Sequence, residues 1–175
     1  MPRLFVAVWP PEEVLNRLAV LPRPEVDGLR WTDQDHWHVT MRFLGSVDDI
    51  EPVRAALAGV ALVAGGPVGA VLGPTVDRFG QRILQVPVAG LDAVAATVVD
   101  STAHLGKRPD DRPFNGHVTL ARVARDAKVD LRPLTGSAIS AEWEVGSVCL
   151  VESRLSSSGA TYEVLERFEL AAGSR

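Results

Sequence analysis

Apolar runs separated by short polar, glycine- and proline-rich stretches extend along the chain. Runs rich in β-branched and aromatic residues predict strands, at residues 4–9, 37–44, 68–72, 82–88, 116–123, 142–145, 148–152 and 162–168. Apolar residues at helical spacing predict three helices, which span about residues 10–21, 48–60 and 91–105. Because hairpins and helices are mixed along the chain, the pattern predicts an α+β fold with largely antiparallel sheets.

The composition narrows the class of protein. The 175 residues are 46% hydrophobic and 23% charged, which suits one compact domain or two small lobes and excludes bulk disorder. No apolar run reaches the ~18–20 residues of a membrane span, and the N-terminal run does not resemble a signal peptide. Cys149 is the only cysteine, so we expect no disulfide framework and a cytoplasmic location. The net charge of −4 argues against broad nucleic-acid binding but allows a small phosphate-bearing ligand.

A four-residue pattern occurs twice, as His38-Val39-Thr40-Met41 and as His117-Val118-Thr119-Leu120, in a chain with only four histidines. Both copies fall in predicted strands, where residues two apart share a face. Each strand therefore buries its apolar side and presents an imidazole beside a hydroxyl. We expect a pseudo-twofold arrangement of two lobes to bring both pairs to one central cleft.

Two imidazoles and two hydroxyls in one cleft suit chemistry at a phosphodiester. In-line displacement at phosphorus requires one proton to leave the attacking oxygen and another to reach the leaving oxygen on the opposite side. Histidine, with an ordinary pKa near ~6.5, does either at neutral pH. Positioned hydroxyl groups stabilise the charge that grows on the equatorial oxygens without a metal ion. The sequence has no Gly-rich phosphate loop with Lys-Ser or Lys-Thr, so ATP use is not indicated.

With their flanks, the two motifs make the chain resemble the 2H phosphoesterases, and most of all the bacterial and archaeal RNA 2',3'-cyclic phosphodiesterases, also called 2'-5' RNA ligases. The resemblance covers nearly the whole chain, through the segments 3–8, 11–13, 30–31, 38–45, 112–114, 117–122 and 152–156. It implies one bilobal domain over residues 1–175, with two antiparallel sheets related by a pseudo-twofold around a central cleft and helices on the outer faces. Met41 and Asn115-Gly116 depart modestly from the family pattern.

The resemblance also implies a reaction, the metal-independent hydrolysis of RNA-type 2',3'-cyclic phosphates to 2'-phosphomonoesters, with 2'-5' RNA ligation as its reverse. By matching position, His38 is the expected proton donor to the departing 3' oxygen, and His117 is the expected base that activates water. Thr40 and Thr119 are expected to hold the phosphate oxygens. No cofactor or metal is implied. The expected partners are RNA ends or small cyclic nucleotides, and we expect a monomer with no membrane contact and no obligatory protein partner.

Three arginines are further candidates for substrate binding. On a regular strand Arg42 shares the face of the first motif and reaches a phosphate or nucleotide edge, although a solvated strand-end arginine fits the pattern nearly as well. Arg122 has the opposite parity to the second motif histidine and reaches the cleft only if the strand ends or twists. Arg154 fits either a ligand contact or an ion pair with Glu152 or another acid.

Other polar and aromatic residues have simpler interpretations. His36 and His38 form a His-x-His pair, but transition-metal sites usually need three or more ligands and no companion cluster is evident. We interpret His36 as a polar residue before the strand. Phe5, Trp31 and Trp37 are able to stack on a base, but core packing is the default for aromatic residues in such runs.

Three alternative functions remain open from the sequence. The quartet of His38, Thr40, His117 and Thr119 could act on another cyclic phosphodiester, such as ADP-ribose 1'',2''-cyclic phosphate. The cleft could belong to a non-catalytic RNA- or nucleotide-binding module, although the intact quartet argues against this. A metal hydrolase built on His36 and His38 is the third, and it requires activity to vanish on chelation.

Overall fold

The computed structural model describes residues 1–172, which contain three α-helices and ten strands. The helices are α1 (Glu12–Ala19), α2 (Glu51–Val63) and α3 (Asp92–Ser101). The strands are β1 (Arg3–Val8), β2 (Leu29–Trp31), β3 (Val39–Ser46), β4 (Val68–Leu72), β5 (Asp77–Phe79), β6 (Ile83–Ala89), β7 (His117–Val123), β8 (Ala141–Val145), β9 (Ser147–Ser156) and β10 (Gly159–Glu169). None of the helices in this range is long and apolar enough to cross a membrane.

The strands pair antiparallel in the order β10-β9-β1-β3-β7-β6-β4-β8, with β2 beside β7 and β5 beside β6. The half that contains β1, β3, β9 and β10 meets the other half where β3 faces β7. Within residues 1–172, these two strands pair at one position, Val39 opposite Val118. The predicted α+β class with antiparallel strands is confirmed, and the two predicted sheets form one continuous strand order joined at this pair.

The two faces of β1 have different neighbours. Leu4, Val6 and Val8 belong to the main core, which they share with apolar residues of all three helices. Phe5 and Ala7 point to the opposite face and pack in a smaller cluster with residues of β9. Burial on both faces explains why β1 is a continuous apolar run without alternation. The helices therefore lie against one face of this half of the sheet and leave the other face to form a cleft.

Several elements differ from the sequence expectation. Strand β3 begins at Val39, two residues after its predicted start, and β9 continues to Ser156, four residues beyond its predicted end. The short strands β2 and β5 were not predicted, because three residues carry little periodicity and all of β5 is exposed. Helix α3 ends at Ser101 instead of near Leu105. The chain turns there because the carbonyl oxygens of Thr102 and Leu105 accept hydrogen bonds from the buried guanidinium of Arg42.

Candidate active site

The two His-Val-Thr motifs meet at the junction between the halves of the sheet. The paired residues Val39 and Val118 are the central residues of the two motifs. In an antiparallel pair, the flanking residues are opposed in the reverse order, so the opposed pairs are His38 with Thr119 and Thr40 with His117. The two imidazoles thus lie on one diagonal of a common face and the two hydroxyls on the other.

Both motifs line one cleft of about 300 Å³. The remaining lining residues come from both halves of the sheet and are Arg3, Phe5, Thr32, His36, Phe43, Arg122, Ser153, Leu155, Ala160 and Tyr162. None of these described lining residues is an aspartate or a glutamate, although the chain as a whole has a net charge of −4. A concave surface with two guanidinium groups, three imidazoles and no carboxylate suits an anionic ligand.

A β-bulge in β3 changes which residue follows the first motif in the cleft. Thr40 and Arg42 pair with successive residues of β1, so Met41 is an extra residue on its strand. Met41 and Arg42 are both buried, and the next residue on the cleft face is Phe43. The predicted position of Arg42 beside Thr40 is therefore wrong, because the prediction assumed a strictly alternating strand.

The second motif is followed by a bulge at the same offset. Thr119 and Ala121 pair with successive residues of β6, which makes Leu120 the extra residue. This shift brings Arg122 to the cleft face, where it lines the same cavity as His117. Arg122 thus reaches the cleft despite its parity in the sequence. The two bulges make Phe43 and Arg122 equivalent positions of the two halves.

Arg42 holds the turn that follows α3 and is only 5% exposed. Its Nη2 donates hydrogen bonds to the carbonyl oxygens of Leu105, at 3.2 Å, and Lys107, at 2.7 Å. Its Nε donates to the hydroxyl of Thr102, at 3.2 Å. These contacts exclude both the predicted cleft position and the alternative of a solvated strand end. Arg42 instead anchors the beginning of the segment that leads to His117.

Arg154 points away from the cleft. Along β9, Ser153 and Leu155 line the cavity, and Arg154 lies between them on the opposite face. Its Nη2 forms ion pairs with Glu152, at 2.9 Å, and Glu163, at 2.8 Å. Of the two interpretations that the sequence left open, the structure has the ion pair.

His117 is oriented by a backbone carbonyl and an aromatic ring. Its Nδ1 lies 2.7 Å from the carbonyl oxygen of Asn115. Because a carbonyl only accepts, Nδ1 carries the hydrogen, and Nε2 of the neutral ring is left as the acceptor. The ring stacks on Phe79, with 5.9 Å between centroids and an angle of 10° between planes. The loop before β7 and the strand β5 thus define the tautomer and the plane of this imidazole.

His38 lies in an aromatic enclosure. The centroids of Trp9, Phe5 and Tyr162 lie 5.0, 5.1 and 5.4 Å from the centroid of its imidazole. Nδ1 is buried and has no hydrogen-bond partner of standard geometry among the described residues. Nε2 is therefore the nitrogen through which His38 can exchange a proton with a ligand.

The enclosure lowers the pKa of His38 to about 4, mainly because burial disfavours the charged ring. The backbone of His36 acts in the opposite direction and raises the pKa, although its contact with Nδ1 falls short of a standard hydrogen bond. Electrostatic interactions with His36, Arg122 and His117 lower the pKa of His38 further. At neutral pH, His38 is thus an uncharged imidazole.

Several cleft residues were not selected from the sequence. His36 lines the cavity and its ring packs on Tyr162, with 4.6 Å between centroids. Arg3 and Phe43 had no motif of their own, and Phe5 was assigned to core packing. Within residues 1–172, no group of three or more His, Cys, Asp or Glu side chains is arranged to hold a metal ion.

Residues 8–66 and 84–162 match the model of the family described as LigT like Phosphoesterase. The chain belongs to this family of phosphoesterases, and the resemblance identified from the two motifs is confirmed. A relative named RNA 2',3'-cyclic phosphodiesterase, from Aeropyrum pernix, is 30% identical over 163 residues, which cover 84% of this chain and 89% of that protein. A protein of the same name from Geobacillus stearothermophilus is 33% identical over 100 residues, which cover 53% of this chain and 32% of that protein.

Solved structures have the same fold over nearly the whole chain. The crystal structure of TT0787 of Thermus thermophilus has a TM-score of 0.77 at 28% identity and covers 99% of this chain and 100% of that one. The crystal structure of E. coli LigT complexed with 3'-AMP has a TM-score of 0.74 at 24% identity and covers 97% and 99% of the two chains. At that identity, the second likeness shows the fold alone.

Proposed function

We propose that this protein hydrolyses RNA-type 2',3'-cyclic phosphates to 2'-phosphomonoesters by acid–base catalysis with two histidines. The observation that carries the proposal is the antiparallel pairing of Val39 with Val118, which supports a site with two imidazoles and two hydroxyls in one cleft. The relatives named RNA 2',3'-cyclic phosphodiesterase support the choice of reaction.

His117 is the base in this proposal. Its Nε2 takes a proton from a water molecule whose oxygen attacks the phosphorus atom. The hydrogen bond from Nδ1 to the carbonyl of Asn115 supports this role, because it leaves the Nε2 lone pair free and stabilises the ring when it gains a proton.

His38 is the acid. As the bond from phosphorus to the 3' oxygen breaks, Nε2 of His38 gives its proton to that oxygen, and the phosphate remains on the 2' oxygen. A ring that is uncharged at neutral pH must first gain this proton. The anionic substrate favours its uptake, because a negative charge close to the imidazole stabilises the charged form. After the transfer His38 is uncharged again, and His117 returns to its starting state when it releases its proton to solvent.

Thr40 and Thr119 donate hydrogen bonds to the two non-bridging oxygens of the phosphate. Because each hydroxyl is opposite a histidine of the other strand, the four groups surround a single phosphorus atom from four sides. Arg122, which lines the same cavity, supplies a positive charge to the phosphate. Ligation through a 2'-5' bond follows the same displacement when the 5' oxygen of a second RNA takes the place of water.

The test is hydrolysis of uridine 2',3'-cyclic phosphate in the presence of EDTA, with the product identified by phosphorus NMR. The wild-type protein is expected to form the 2'-phosphate, and His38→Ala and His117→Ala are each expected to lose about 10²–10⁴-fold in kcat. Arg132→Gln is a suitable control, because Arg132 forms an exposed ion pair with Asp130 outside the cleft.

The outcome also separates the alternatives. Binding of the cyclic nucleotide without turnover would identify a non-catalytic module, and loss of activity on chelation would identify a metal hydrolase. A 3'-phosphate product would contradict the assignment of acid and base. If uridine 2',3'-cyclic phosphate is inert but ADP-ribose 1'',2''-cyclic phosphate is hydrolysed, the quartet has another substrate.

A further inference from the structure

Arg3 lines the same cleft as the second motif but lies on β1, which β3 separates from the strand β7 of that motif. On β1, it lies between Ser46 of β3 and Ser153 of β9, both uncharged. In the same register, Ala7 pairs with Thr40 of the first motif. Four residues of strand, about 13 Å between Cα positions, therefore separate Arg3 from the row that holds Thr40. This distance is too long for Arg3 to be part of the quartet that surrounds the reacting phosphate.

The guanidinium of Arg3 has no acidic partner. Other arginines of this chain form ion pairs, for example with Asp110, Asp130 and Glu152. Among the described residues, Arg3 forms none. Its Cζ lies over the ring of Phe43, 5.8 Å from the centroid. An arginine on an aromatic face is held in place while the edge of its guanidinium keeps its donors for a ligand.

The cleft therefore has more positive charge than one phosphate requires. A cyclic phosphodiester carries one negative charge, which the motif residues and Arg122 surround at the junction of β3 and β7. Arg3 stands apart from that group and faces the same cavity. A planar guanidinium with free donors matches the two non-bridging oxygens of a second phosphate.

We propose that Arg3 binds the internal phosphodiester next to the nucleotide that carries the cyclic phosphate, so that the protein prefers the end of an oligonucleotide to a mononucleotide. This inference rests on the proposed function, since it takes the cyclic phosphate to lie between the two motifs. Arg3 is then a specificity-determining residue, because it contacts the substrate away from the reacting atoms.

The test compares three substrates that differ in the second phosphate. They are uridine 2',3'-cyclic phosphate, the dinucleotide UpU ending in a 2',3'-cyclic phosphate, and the same dinucleotide with an uncharged methylphosphonate linkage. In the wild type, kcat/KM for the charged dinucleotide is expected to exceed both other values by about 10- to 100-fold, the range of a charge-assisted hydrogen bond.

Arg3→Gln is expected to remove this preference and to leave kcat/KM for the mononucleotide within about twofold. Arg3→Lys keeps the charge without the planar donors and is expected to retain part of the preference. Arg132→Gln removes one positive charge outside the cleft and is the matched control, with an unchanged preference expected.

Two results would overturn the inference. One is an equal loss for the mononucleotide and the dinucleotide in Arg3→Gln, which indicates a structural role. The other is a wild type that treats the charged and the methylphosphonate dinucleotides alike. If the wild type hydrolyses none of the substrates, the proposed function fails. The inference on Arg3 is then tested with Kd values for the same three compounds: the wild type should bind the charged dinucleotide more tightly than the other two, and Arg3→Gln should not.

Discussion

The aromatic enclosure of His38 predicts that the cleft takes up a proton when it binds a phosphodiester. The pKa of His38 is about 4, so about one molecule in a thousand has a charged imidazole at pH 7. A phosphate anion ~4 Å from the ring contributes roughly 4 kcal/mol at an effective dielectric constant of about 20. This corresponds to about three pKa units, so the pKa of His38 in the complex is expected to be near ~7.

The sign of the effect on binding follows from these two values. Between about pH 4 and pH 7, His38 is uncharged in the free protein and charged in the complex. Binding then takes up close to one proton, and the affinity falls about tenfold for each unit of rising pH. Above about pH 7, His38 is uncharged in both states, and its contribution to the pH dependence ends.

The assay is calorimetric titration with uridine 2',3'-cyclic phosphate, which keeps a single charge over this range. The protein is His117→Asn, which is expected to bind without turnover and lacks the imidazole of the second motif. Heats measured at pH 5.5 in buffers of different ionisation enthalpy give the number of protons taken up, which is expected to be about 0.9. Because His36 also faces the ligand, His36→Asn in the same background separates its contribution.

The critical comparison is His38→Asn combined with His117→Asn, where the uptake is expected to vanish. An affinity for the His117→Asn protein that does not change between pH 4.5 and 6.5 would refute the reasoning. So would an uptake that persists unchanged after His38 has been replaced.

Three further outcomes are expected. The pKa of His38 is about 4 in the folded protein and 6.5 in the unfolded chain, so the unfolded state binds more protons between these values. The free energy of unfolding should therefore fall by about 3 kcal/mol from pH 7 to pH 4 through this group. Urea unfolding at several pH values should show that His38→Asn loses this component. Arg42→Leu leaves buried carbonyls without donors and should lower the free energy of unfolding by about 3 kcal/mol or more. Arg154→Leu breaks a solvent-exposed ion pair and should leave the urea midpoint nearly unchanged. Equal urea midpoints for the two variants would contradict this. Phe79→Leu removes the ring stacked on His117 and should lower kcat by about 2- to 10-fold with little change in KM, and a change in KM alone would speak against an orienting role.

The mixture of hairpins and helices along the chain was sufficient to predict the α+β class, and the duplicated motif predicted that its two strands meet at one cleft. In each motif, the histidine and the threonine are two residues apart and line the same cleft, so alternation holds over this short distance, even though His38 directly precedes β3. Beyond each threonine, alternation fails because an extra residue enters the strand. The sequence offers no local signal for these bulges, since Met41 and Leu120 are ordinary strand residues.

The two bulges explain the positions of two of the candidate arginines. The bulge in β3 puts Phe43 instead of Arg42 on the cleft face, and the bulge in β7 brings Arg122 to that face. Arg3 could not be selected from the sequence for a different reason. Its importance depends on the neighbours Ser46 and Ser153, which are distant in the chain and are brought together only by the register of three strands.

The local twofold relation at Val39 and Val118 has a consequence for regiochemistry. A phosphate turned by half a revolution meets the same two imidazoles and two hydroxyls, so the quartet alone does not decide which ring oxygen departs. That choice depends on the neighbours that differ between the two halves. These are the aromatic enclosure of His38, the carbonyl of Asn115 at His117, and the ring of Phe43 at the position equivalent to the guanidinium of Arg122. Substitutions that exchange these neighbours, while both histidines and both threonines stay in place, are the change that could redirect the enzyme from one phosphate isomer to the other.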